Sequence, residues 1–246
     1  MNRVLSRVDV MVDSYHGRTY VAYLDISGFA EMMKDEDSAA RILSRFYNTT
    51  YEFCQSSGRF GPGLSIVIAS DSAIAFTRNR NAQDRLHGLL KLLKFVKSMN
   101  RSFIDSDSEP FTTICSIAYG QFVYENRSEL DDLRKNYVFG SPYLKAVLDQ
   151  KKGKPKLKPG DCRLLPPQPR LSGSSHMDTI PFIIKRGNWR YFYWMLEKPE
   201  DHTLFNIDYS EAYKNREKDD YRGVIQVLKK YTKQSSNKQR HLRQQH

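Results

Sequence analysis

Two aspartates in this chain each close an apolar run. Asp25 ends Tyr20-Val21-Ala22-Tyr23-Leu24 and is followed by Ile26-Ser27-Gly28-Phe29. Asp71 lies in Ser70-Asp71, a short polar step between the apolar stretches 64–69 and 72–76. Apolar runs of this length read as strands, so both carboxylates are delivered to strand ends, where they can converge. Magnesium and manganese are hard cations that take oxygen ligands, commonly one or two carboxylates together with substrate phosphates. Two such ions about 4 Å apart can hold the attacking and the leaving oxygen of a phosphoryl displacement. The pair Asp25 and Asp71 therefore points to phosphoryl chemistry on a nucleotide. The plainer alternative is that both are turn or cap residues.

The elements that must position these groups follow in order. Residues 1–18 are a lead-in without an assigned structure, and 19–25 form the first strand, with Val21 and Tyr23 or their neighbours inward. A helix capped by Ser38 carries Ile42, Leu43, Phe46, Tyr47, Phe53 and Cys54 at helical spacing and stops at the Gly/Pro-rich stretch 56–63. The segments flanking Ser70-Asp71 form a hairpin with Asp71 at its tip. Residues 82–103 form a second long helix with Leu86, Leu89, Leu90, Leu93 and Val96 as its apolar face. After a polar linker at 102–110 comes a strand at 112–118. An acidic loop with Glu129, Asp131 and Asp132 leads to Tyr137–Gly140, and a third helix spans 141–150. A loop at 151–160, a short strand at 161–165 and a Pro/Ser-rich connector at 166–175 follow. A strand pair at 179–185 and 189–196 turns at 185–188, and 208–228 is helical. The order β-α-β-β-α-β is the split βαβ pattern of an α+β, ferredoxin-like core: a mainly antiparallel sheet with helices on one face.

Composition narrows the setting. A chain of 246 residues with 39% hydrophobic residues suits a single domain, here residues 1–228, with a basic, disordered tail at 229–246. No stretch approaches the roughly 20 apolar residues of a membrane span, and charges interrupt the apolar pieces of the N-terminus, so a soluble, cytoplasmic protein is expected. Cys54, Cys115 and Cys162 are too few and too scattered for a disulfide framework or a zinc site. A net charge of +11 suits an anionic partner. Part of the excess is the run Lys151, Lys152, Lys154, Lys156 and Lys158, which reads as a solvated loop.

Over residues 19–196 the sequence resembles a class III nucleotidyl cyclase catalytic domain. Asp25-Ile26-Ser27-Gly28-Phe29 matches that family's first metal-bearing motif, and Asp71 stands where its second metal carboxylate lies, after Ser70 in place of the usual Gly. Gly120 with the strand before it, Gly140 and Ala146, and Lys185-Arg186-Gly187 resemble further family motifs. Three departures matter. Leu144 and Leu148 stand where the family's ribose-contacting Asn and transition-state Arg are expected, and 64–69 holds no lysine to read adenine. A core that keeps both carboxylates and lacks purine readout resembles the bacterial Pycsar antiphage cyclases. These make cyclic UMP or cyclic CMP.

The resemblance implies a homodimer with shared active sites, acting on a nucleoside triphosphate, UTP foremost. It also implies two Mg²⁺ or Mn²⁺ ions held by Asp25, Asp71 and the Ile26 carbonyl. Backbone N–H groups of Ser27, Gly28 and Phe29 would meet the β- and γ-phosphates, since helix N-termini favour anions. Arg186 or Lys185 would hold the terminal phosphate. Tyr51 or Tyr47 could bond a pyrimidine edge and Tyr143 could replace the missing ribose contact, though packing against the sheet is the simpler role for each. Thr112, Thr113 and Ser116 could also contact the base. Rival readings are a cytidylate, adenylate or guanylate cyclase, a cyclase-like protein that binds nucleotide without turnover, and a ferredoxin-like nucleic-acid-binding module with no need of the aspartates.

Overall fold

A computed structural model describes residues 10–57, 63–79, 84–106, 109–130, 133–169, 180–217 and 220–243; the side chains of 10–12, 56–57, 127–130, 133–135 and 234–243 are not described. The frame is built by β1 (Val10–Ile26), β2 (Leu64–Ala69), β3 (Ser72–Thr77) and β4 (Thr113–Leu130). They lie in the order β2-β3-β1-β4 with every neighbouring pair antiparallel, which is the split βαβ arrangement expected. β5 (Leu133–Gly140) pairs with one part of β4, and β6 (Cys162–Leu164) runs parallel to another. β8 (Trp189–Phe192) and β7 (Ile183–Arg186) extend the sheet beyond β6. The architecture is α+β with a mainly antiparallel sheet.

Alternation along β1 sorts its side chains between two faces. Tyr20, Ala22, Leu24 and Ile26 enter the main core, with α2 (Glu36–Ser57) and α3 (Asp84–Ile104) over them. Leu89, Leu92, Leu93, Val96, Met99 and Phe103 recur along α3 at three- and four-residue steps and are buried, whereas Leu90, expected on that face, is exposed. Val21 and Tyr23 point to the other face. There they join Phe76, Phe122, Tyr124 and Tyr143 of α4 (Ser141–Lys152), so one helix covers the face opposite α2 and α3.

Several boundaries differ from the expectation. The lead-in from Val10 onward belongs to β1, because its residues pair with β4 as far as Val10↔Ser128. The first helix begins as the short α1 (Phe29–Met32). The cap of α2 is Asp35, whose Oδ1 accepts the Ser38 N–H at 3.2 Å, so Ser38 lies inside the first turn. The acidic loop shrinks: β4 carries Glu129, while Asp131 and Asp132 lie outside the described residues. Residues 170–179 of the Pro/Ser-rich connector and of the following strand start also lie outside them. The helix expected at 208–228 is two helices, α5 (His202–Lys214) and α6 (Arg222–Arg243), and the segment read as a disordered tail is helical to Arg243. Among the described residues no helix is long and apolar enough to cross a membrane.

Candidate active site

The β2–β3 hairpin closes over two residues, with Ala69 opposite Ser72 and Ser70-Asp71 as the turn. Ser70 has φ 55°, the left-handed region that favours Gly and costs a residue with a Cβ about 1 kcal/mol. Asp71 is tied to β1 through its backbone: its carbonyl accepts the Ile26 N–H at 3.1 Å. Asp25 itself pairs with Ser72, the residue after Asp71. Two strand ends and one turn thus bring both carboxylates to the same corner of the sheet.

That corner is electrostatically uncompensated. Burial, together with the negative charge of Asp71, pushes the Asp25 carboxyl up to about 7, against the opposing pull of Lys151. The Tyr23 hydroxyl is also raised, first by burial and further by Asp25, Tyr143 and Asp71. Among the described residues no cluster of three or more His, Cys, Asp or Glu side chains could hold a metal. A pair of carboxylates with substrate oxygens completing the shell is nonetheless a normal Mg²⁺ site. A half-buried carboxyl that resists ionising beside a second carboxylate fits a divalent cation, which would relieve the repulsion.

Around this pair the sequence candidates separate. The Ser27 N–H is already committed, donating to the Thr112 carbonyl at 2.9 Å, so it is not a free phosphate donor. Ser27 Oγ is buried and has no hydrogen-bond partner. Gly28 (φ 77°) opens α1, whose first N–H groups have no intrahelical acceptor. A Cβ at Gly28 would meet the Tyr221 ring at 3.0 Å, so one side of this turn is covered by the chain leading into α6. Phe29 is buried in the main core.

Tyr143 lies edge-on to Tyr23 with centroids 6.4 Å apart, which places it beside the carboxylates. Tyr47 and Tyr51 are 41% and 64% exposed, so packing on the sheet, their simpler role, is not what the structure shows. Thr112 and Thr113 donate to Asn100 Oδ1 at 2.8 and 3.1 Å and Ser116 donates to Asp149 Oδ2 at 2.7 Å; these buried hydroxyls are committed within the protein.

Lys185 and Arg186 are on β7 rather than in the turn, which is Gly187-Asn188. Four strand spacings of about 4.8 Å separate β7 from β1, so within one chain Arg186 is not brought to Asp25. Its guanidinium lies 3.8 Å from the Tyr191 ring centroid and pairs with Asp161 Oδ1 at 3.5 Å.

Two residues at the corner escaped sequence reading. Gln150 donates from Nε2 to the Tyr23 carbonyl at 2.7 Å and, more weakly, to the Ile114 carbonyl at 3.4 Å. Lys151 was counted with a solvated loop, yet it is in the last turn of α4. No sequence signal separates it from the lysines that follow.

No protein-family model matches the chain, and no curated protein matches it. Solved structures do. The guanylyl cyclase Cya2 is 11% identical with a TM-score of 0.45, over 73% of this chain and 92% of that one. A class III adenylyl cyclase-like ATP-binding protein from Pseudomonas aeruginosa is 12% identical with a TM-score of 0.46, over 67% and 36% of the two chains. The adenylyl cyclase CyaB from P. aeruginosa is 14% identical with a TM-score of 0.43, over 62% and 78%. The likeness is one of chain layout.

Proposed function

We propose that the protein is a nucleotidyl cyclase of the class III kind. In this reading it converts a pyrimidine nucleoside triphosphate, UTP foremost, to the 3′,5′-cyclic monophosphate and pyrophosphate. Its product would serve as an antiphage second messenger, as in the Pycsar cyclases the sequence resembles. The observation that carries the reading is the meeting of Asp25 and Asp71 at one corner, with the Asp25 carboxyl pushed up to about 7.

In the reaction the ribose 3′-oxygen attacks the α-phosphorus and the bond to the α–β bridging oxygen breaks. Pyrophosphate leaves with the electron pair, and the hydroxyl proton passes to solvent. Bound at Asp25, Asp71 and the Ile26 carbonyl, two Mg²⁺ or Mn²⁺ ions would supply Lewis-acid activation of the 3′-hydroxyl and charge neutralisation at the α-phosphate. Asp25 and Asp71 would fix where that positive charge sits, and the N–H groups of Gly28 and Phe29 would meet the β- and γ-phosphates. The pyrimidine preference rests on the uncharged run of β2, which offers no cation to a purine, and on the exposed side chains of Tyr47 and Tyr51.

Two features support a homodimer. Phe139 of β5 and Leu144 and Leu148 of α4 are 55%, 57% and 43% exposed and make an apolar surface to cover. Arg186 or Lys185 could reach a triphosphate at Asp25 only from a second, head-to-tail copy. Incubation with each of the four nucleoside triphosphates and Mn²⁺, followed by identification of the product, tests the reading. Cyclic UMP as the main product is expected. A purine product would overturn the base assignment, and no cyclic product would overturn the activity.

A further inference from the structure

The last turn of α4 is clamped at two successive residues. Asp149 accepts from Ser116 and pairs with Arg163 (Nη2–Oδ1 2.8 Å, Nε–Oδ2 3.0 Å), which fastens it to β4 and β6. Gln150 is fastened to the carbonyls of Tyr23 and Ile114. Tyr23 is two residues before Asp25, and Ile114 stands directly opposite Asp25 in the β1–β4 ladder. The next residue is Lys151. Its backbone position is therefore fixed over the strand end that carries Asp25, while its own side chain is exposed.

Lys151 also continues a stripe. Residues three and four apart share one side of a helix, so 144, 148 and 151 line up along α4. Leu144 and Leu148 are the exposed apolar residues standing where the resemblance leads one to expect a ribose-contacting Asn and a transition-state Arg. One turn further on, the same side of the helix carries Lys151, the residue after the Gln150 anchor.

The geometry points to Lys151 as the residue that grips the substrate triphosphate at the Asp25–Asp71 corner, supplying from the end of α4 the cation that position 148 lacks. This rests on the cyclase reading above. A lysine acts on phosphate as a mobile point charge, which suits a group reaching in from a rigid helix end. The competing role is generic: a cation in a last helical turn complements the dipole. Lys152 shares that role, since it too is exposed in the same turn, but it stands one residue further from the Gln150 anchor.

The two roles separate on Lys151→Ala, Lys151→Arg and Lys152→Ala in the full chain, with thermal melts to verify folding. The readouts are kcat and KM for UTP with Mn²⁺, and the affinity of 3′-deoxy-UTP, which binds but cannot cyclise. Loss of one charge-assisted contact corresponds to roughly a 10- to 100-fold fall in kcat/KM and about a tenfold weaker 3′-deoxy-UTP for Lys151→Ala. Lys151→Arg should recover most of both and Lys152→Ala should match wild type. Lys151→Ala within twofold of wild type in both readouts, or losses equal to those of Lys152→Ala, overturns the proposal while leaving the cyclase reading intact. If wild type cyclises no triphosphate, the cyclase reading fails. Mn²⁺-dependent triphosphate binding weakened by Lys151→Ala would then still support the contact, and binding absent or unchanged would overturn it.

Discussion

Two carboxylates meet where α4 packs on the sheet, buried Asp149 on the helix and half-buried Asp25 at the end of β1, and their surroundings are opposite. Asp149 faces Arg163, which is fully buried, and also receives the Ser116 hydroxyl; Arg163 Nη1 in turn donates to the Pro155 carbonyl and the Tyr191 hydroxyl. The two opposite charges in that centre cancel, and the pair holds α4 to the sheet. Asp25 has no such partner: partial burial first, and then the charge of Asp71, raise its proton affinity against the pull of Lys151. The same sheet thus carries one ion pair complete within the chain and one acidic corner that is complete only when positive charge arrives. The first fixes the helix; the second is where chemistry is expected.

The contrast is tested most severely by removing the acids themselves. Asp25→Ala or Asp71→Ala should lower turnover at least about 1000-fold, a loss of roughly 4 kcal/mol of transition-state stabilisation, with the melting temperature preserved or raised. Comparable turnover in either variant would break the comparison. Arg163→Leu should do the reverse. Stranding Asp149 costs about 3–5 kcal/mol, and at roughly 2–4 °C per kcal/mol the melt would shift down by about 6–20 °C. The double change Asp149→Leu with Arg163→Leu should recover much of that stability, as replacement of buried pairs by apolar residues often does.

A smaller effect follows from pH. A carboxyl whose folded value is about 7 rather than 3.8 binds more protons folded than unfolded, so metal-free stability falls as pH rises from about 4 to 7 and stays low above. Asp25→Asn removes that burden. At pH 8 without divalent cations it should be more stable by about 2 kcal/mol, after discounting for the partial exposure of the site, and indistinguishable from wild type near pH 4. Mn²⁺ should raise the melting temperature of wild type and much less that of Asp25→Asn. The smallest expected change is Ser70→Gly, a gain of about 0.5–1 kcal/mol from relief of the left-handed backbone, read by chemical denaturation.

The core was legible because its signals are local. Period-two alternation in β1 and three- and four-residue spacing in α3 identify strand and helix without reference to anything distant, and the hairpin at Ser70-Asp71 announces itself by one polar step between apolar runs. The convergence of Asp25 and Asp71 followed from strand order. What stayed hidden depends on long-range partners. Tyr47 and Tyr51 alternate as if to pack, but their side of α2 meets solvent. Arg186 shares a motif with phosphate turns, yet the three short strands beyond β4 carry it to the far edge. Lys151 differs from Lys152 only through the anchoring of its neighbours Asp149 and Gln150, which no local pattern encodes.

The brevity of the β2–β3 turn has a consequence for how this protein can change. Surface hairpins are where chains ordinarily gain and lose residues most freely. Here the register on both sides is locked, Ala69 to Ser72 and Ile26 to the Asp71 carbonyl, with nothing spare between. Because successive side chains point to opposite faces, a single inserted residue would deliver the aspartate to the wrong side of the sheet. Length at this tip is therefore as much a part of the acidic corner as the carboxylate is, and a duplication or deletion there would be as damaging as losing the acid.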